Sequence, residues 1–135
     1  MKKLLLYTLF LPTLLFSEVK SINIQTFEKM VQMGVPVIDI RTQKEWKETG
    51  IIKNSKTVTF FQPNGSYDLN AFLNQLKKMK IDKNTPFILV CRSSSRTKLL
   101  GNFLSNKLGY KNVYHLQGGI INWKLHAKPL KSYEK

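Results

Sequence analysis

Two short runs, Val35-Pro36-Val37-Ile38-Asp39-Ile40 and Phe87-Ile88-Leu89-Val90, are apolar at nearly every position rather than at every second one. A strand with one wet face alternates apolar and polar residues, so such runs require apolar cover on both sides. Segments of helical periodicity surround them. Leu69, Phe72, Leu73 and Leu76 fall at i, i+3, i+4 and i+7, and Leu100, Phe103, Leu104 and Leu108 make a second stripe closed by Gly109. Doubly covered strands alternating with helices give the α/β class: a central, mostly parallel sheet of about five strands with helices on both faces.

The remaining elements follow from local signals. A helix is predicted over residues 24–33, with Asn23 as N-cap, Ile22 and Phe27 as a hydrophobic staple and Gly34 at its end. A short helix over residues 43–48 carries Trp46. A β-branched and aromatic strand over residues 57–61 ends at the turn Pro63-Asn64-Gly65. A last strand covers residues 112–116 and a final helix residues 119–125. In such sheets sites lie at the carboxyl ends of the strands, which here are Asp39, Phe61, Cys91 and Gln117.

A chain of 135 residues suits one domain, assigned to residues 18–131 with a short tail at 132–135. Residues 1–17 read as a signal peptide: Lys2 and Lys3 precede the 13-residue apolar stretch 4–16, and polar Glu18 follows Ser17. Thirteen residues fall short of the ~17–25 that a spanning helix needs, so cleavage leaves no stable membrane insertion and export to the periplasm is expected. The net charge of +14 favours solubility and attraction of anions, and no nucleic-acid motif accompanies it. Lys77, Lys78, Lys80 and Lys83 read as the wet face and exit of the helix at 69–76. A single cysteine excludes an internal disulfide, a CxxC pair and a Cys-rich metal site, and no metal is expected.

Chemistry concentrates in Cys91-Arg92-Ser93-Ser94-Ser95-Arg96, a small polar loop between a buried strand and a helix start. Such a loop aims successive backbone N–H groups at one point, and the helix adds its positive end. A thiol at that focus is pushed toward thiolate, since helix N-termini and nearby cations lower the pKa of a cysteine. Arg92 and Arg96 add fixed positive charge. An unpaired cysteine in an oxidising compartment is a liability unless it is buried or used as a reactive thiol.

Three blocks together resemble the single-domain rhodaneses, a family of sulfurtransferase modules, over residues 18–131. They are Val37-Ile38-Asp39-Ile40-Arg41 followed by Glu45-Trp46, the Cys91–Arg96 loop, and Leu116-Gln117-Gly118-Gly119-Ile120 with Trp123. The resemblance implies that Cys91 takes sulfane sulfur from a donor such as thiosulfate, holds it as a persulfide and yields it to a thiophilic acceptor. Backbone N–H groups from Arg92 through Arg96 would cradle the persulfide. Arg96 would organise the loop by bracing its carbonyls, and Arg92 would face the anionic donor. The implied partners are that small donor and a thiol or cyanide acceptor, with a protein as a further candidate acceptor; no cofactor is implied beyond the covalent persulfide. The chain departs from the family at Ser94, where a mid-loop glycine is common, and at Gly50-Ile51-Ile52-Lys53, where Gly-His-Ile-Pro is usual.

Two rival functions share the loop. A cysteine phosphatase or arsenate reductase places arginine six positions after the cysteine, where this chain has Thr97; its arginine stands at five, making a smaller cradle. A carrier or partner-binding module without turnover would use every residue named so far. Asp39 and Arg41 read as supporting residues, more as a structural ion pair than as substrate contacts. Trp46 and Trp123 read as core, His115 as a satisfied structural histidine rather than a proton shuttle, and His126 and residues 128–135 as surface.

Overall fold

The computed structural model describes residues 17–134 together with Lys3, Leu5, Leu6, Thr8 and Leu9. Most of the segment read as a signal lies outside the described residues, and no described helix is long and apolar enough to cross a membrane. In chain order the elements are β1 (Lys20–Ile22), α1 (Ile24–Gln32), β2 (Val37–Asp39), α2 (Gln43–Thr49), β3 (Lys56–Thr57), α3 (Leu69–Lys78), β4 (Phe87–Val90), α4 (Ser95–Asn106), β5 (Val113–Leu116) and α5 (Gly119–Leu125). The strands form one sheet in the order β1-β5-β4-β2-β3, and every pairing is parallel.

The doubly apolar runs become the sheet's interior. Alternate residues of a strand point to opposite faces. Ile38, Phe87, Leu89 and Cys91 join one core with Phe72 and Leu76 of α3 and Leu100 and Leu104 of α4. Val37, Ile88, Val90 and Leu116 join a second with Phe27 of α1 and Ile120 and Trp123 of α5. Helices therefore cover both faces, and Cys91 emerges on the α3/α4 side.

Local signals decide the helix starts. Asn23 caps α1 by accepting from the Thr26 N–H at 2.9 Å. Thr42 and Glu45 make a reciprocal capping box at α2. Three features differ from the sequence reading. β1 pairs with the edge of β5, but only its last residue is buried, so it shows no apolar run. The strand expected over 57–61 is only Lys56–Thr57. Beyond it the chain turns inward, burying Phe60 against Phe72 with ring centroids 5.2 Å apart, while the Thr59 hydroxyl donates to the Arg41 carbonyl at 2.7 Å.

The third difference is at the carboxyl end. The side chains of Lys131, Ser132 and Glu134 are exposed, as read, but the backbone is tied down. Ile51 and Lys131 exchange both backbone hydrogen bonds, at 2.8 and 2.7 Å. Tyr133 packs on Trp46 with ring centroids 5.3 Å apart, and Lys128 pairs with Glu28 at 2.9 Å.

Candidate active site

Cys91 is the first residue after β4, and the loop it opens returns directly into α4. Its side chain is 1% exposed. The Ser94 N–H donates to Cys91 Sγ at 3.2 Å, and the Thr97 hydroxyl lies 3.5 Å from the same sulfur. Both groups belong to the start of α4, which places one backbone donor and one hydroxyl beside the sulfur. Ser94 achieves this with φ +99°, a left-handed conformation that a residue with a Cβ rarely adopts. Its hydroxyl offsets the strain by donating to Leu116 O at 3.3 Å and accepting from the Gly118 N–H at 2.7 Å.

Arg96 does something other than brace the loop carbonyls. Its two terminal nitrogens donate to the two carboxylate oxygens of Glu45, at 2.7 and 2.8 Å, tying the loop to α2. Burial raises the Glu45 carboxyl, but the Arg96 hydrogen bond, the Thr42 N–H and the Arg96 charge outweigh it and bring it down to about 2. The Glu45 hydrogen bond in turn raises the Arg96 guanidinium. The pair is a fork-to-fork contact between ions, with its geometry fixed on both sides.

Arg92, Ser93 and Ser95 are exposed. Arg92 lines a cavity of about 240 Å³ with Arg41, Glu45 and Lys124. Ser93 opens on an adjoining groove of about 810 Å³ shared with Asn23, Gln117 and Asn122. Asp39 and Arg41 are buried, at 0% and 1% exposure. Arg41 donates to Asp39 through Nε and Nη2, to Thr49 Oγ1 at 2.8 Å and to Gly50 O at 2.9 Å. Their hydrogen-bonding capacity is thus used in holding α2 and its end against β2.

Residues 23–126 match the rhodanese-like domain family. The chain belongs to that family. It is 39% identical over 88 residues to an uncharacterised protein of Rickettsia prowazekii, covering 62% of this chain and 68% of that one. It is 26% identical over 122 residues to thiosulfate sulfurtransferase 18 of Arabidopsis thaliana, covering 87% and 88%. Its fold matches the crystal structure of a rhodanese-related protein from Thermoplasma volcanium with a TM-score of 0.61 at 21% identity, over 84% of this chain and 99% of that one. The resemblance drawn from the three blocks and the α/β class are both correct.

In this rhodanese-like domain the Gly118-Gly119 pair has a steric reason. The N–H groups of Ile120 and Ile121 donate to the carbonyls of Cys91 and Arg92, each at 3.0 Å, so α5 begins against the loop. A Cβ on Gly119 would collide with both of those carbonyls. Two residues absent from the sequence reading of the site join it here. Thr97 touches Cys91, and His115, read as merely structural, places Nδ1 2.7 Å from the Thr97 hydroxyl. The signal for the second was in the strand alternation. His115 pairs with Leu89 on the neighbouring strand, and Leu89 shares a face with Cys91.

Proposed function

We propose that the protein is a sulfurtransferase in which Cys91 carries the sulfur. The observation that carries this reading is the Ser94 N–H aimed at Cys91 Sγ from the start of α4. A fixed donor there stabilises negative charge on Sγ, both in the attacking thiolate and in the thiolate released when the sulfur is passed on. Family membership and the sulfurtransferase among its relatives support the reading.

The Cys91 thiolate attacks the outer sulfur of thiosulfate. A new S–S bond forms on Cys91, the donor's S–S bond breaks, and its electron pair leaves with sulfite. The terminal sulfur of the persulfide is then attacked by cyanide in the assay, or by a thiol acceptor in the cell, and Cys91 departs as thiolate. Sulfur chemistry alone closes this cycle without a metal or organic cofactor. Arg92 offers an exposed cation to the anionic donor. The setting we assign is the periplasm, after cleavage near Ser17, and N-terminal sequencing of exported protein tests it.

Thiosulfate–cyanide turnover by the wild type, abolished in Cys91→Ser, is the expected result. Turnover of an aryl phosphate that depends on Cys91 and exceeds sulfur transfer would overturn the reading. The burial of Cys91 favours one second reading, a module that shelters a persulfide for a partner. It predicts stoichiometric loading from thiosulfate with negligible turnover.

A further inference from the structure

The Thr97 hydroxyl has three polar neighbours and one proton. His115 Nδ1 lies at 2.7 Å, Ser94 O at 3.0 Å and Cys91 Sγ at 3.5 Å. Thr97 is 0% exposed and His115 4%, so water does not substitute for these partners. A carbonyl oxygen only accepts, and so does a thiolate. When Cys91 is ionised, the imidazole is therefore the one neighbour able to donate to Thr97 Oγ1. Because the hydroxyl donates its one proton to Ser94 O, the 2.7 Å contact is completed by a proton on Nδ1.

We propose that His115 is a positioning residue for the reactive sulfur: its Nδ1–H engages Thr97 Oγ1 and turns the hydroxyl proton toward Cys91 Sγ and Ser94 O. The inference rests on the reading of Cys91 as the sulfur-bearing nucleophile, which it deepens. Thr97 thereby becomes a second donor to the sulfur beside the Ser94 N–H, with its direction set from β5. Without the imidazole proton the hydroxyl would be free to point at Nδ1, presenting only lone pairs to a negative sulfur.

The surroundings agree with a neutral, singly protonated ring. Burial, and then the charge of Lys98, lower His115 below the usual histidine value. The charged group bearing on it is Lys98 on α4, and Cys91 lies on the far side of Thr97. The adjacent strands present Leu89 and Ser21 in register with it. With a single proton to place, the ring must put it on Nδ1 to serve an ionised Cys91 and leave Nε2 bare.

The test follows alkylation of Cys91 by iodoacetamide across pH in the full chain, where the single cysteine makes the readout unambiguous. Thr97→Val and His115→Leu should each move the midpoint of the profile upward. For Thr97→Val the shift should be about one pH unit, the scale of one hydrogen bond to a charged acceptor. Thr97→Ser, which keeps the hydroxyl, and His115→Asn, which keeps a donor near the Nδ1 position, should restore the wild-type profile. An unchanged midpoint in a folded His115→Leu would overturn the proposal, since a packing role alone does not set that profile.

A second measurement needs no variant. Nitrogen-15 NMR of wild-type His115 should show the Nδ1–H tautomer above the alkylation midpoint, and an Nε2–H tautomer there would overturn the proposal. Neither readout uses sulfur transfer. Failure of the sulfurtransferase reading would instead appear as absent Cys91-dependent turnover in the wild type.

Discussion

Ser94 combines a backbone that suits glycine with a side chain that glycine lacks. Its φ of +99° costs on the order of 1–3 kcal/mol for a non-glycine residue. Its hydroxyl meanwhile links the loop to Leu116 and Gly118 at the carboxyl end of β5. The two effects oppose each other, and substitution separates them. Ser94→Ala keeps the strain and loses both hydrogen bonds, so it should destabilise the fold by about 1–2 kcal/mol. Ser94→Gly loses the same bonds but relaxes the backbone, and should be less destabilising than alanine. Urea unfolding of the two variants checks the order, and alanine being the milder change would show that the left-handed backbone at Ser94 carries no strain.

At the scale of elements, the loop is positioned by α2 and α5 as much as by its own strand and helix. The Arg96–Glu45 pair joins residues 51 apart in sequence, with side chains 24% and 22% exposed. Glu45 is held down to about 2 from an ordinary 4.5. Its ionised form therefore contributes stability at neutral pH that is lost as the pH falls from about 4.5 toward 2. Partial exposure limits that contribution to about 1 kcal/mol. Glu45→Gln should flatten the stability profile across this window, and an unchanged acid slope would refute the assignment. Arg96→Ala should slow sulfur transfer roughly tenfold to a hundredfold, as loss of preorganised site geometry does. Adding Glu45→Gln to it should cost little more, because the two residues act through one contact. Additive losses would mean that Arg96 acts on the donor directly. The sequence made β4, the loop and the helix stripes legible, since each rests on composition within a few residues. The partner of Arg96 and the link from Cys91 through Thr97 to His115 depend on packing between distant elements and on the β4–β5 register, which a single segment's pattern does not encode. The 57–61 segment misled for a related reason. β-Branched and aromatic residues also suit an irregular segment that buries Phe60 in an aromatic cluster.

Across the whole molecule, the end of the chain returns to close the edge beside α2. Gly50 has φ +80°, and a Cβ there would lie 2.6 Å from Lys131 O. Gly50→Ala should lower the thermal midpoint through both strain and collision. In a chain ending at Leu130 the same substitution should cost less, because only the strain remains. An equal cost in both chains would remove the docked carboxyl end from the account of stability. The sulfur of Cys91 lies buried where β4, α4 and α5 converge. The most direct measurement is mass spectrometry of the protein after incubation with thiosulfate, followed by a single addition of cyanide. One extra sulfur atom on the peptide containing Cys91, discharged by cyanide as an equal amount of thiocyanate, is the predicted result. A Cys91 peptide of unchanged mass after thiosulfate, in protein whose thiol still alkylates, would contradict it.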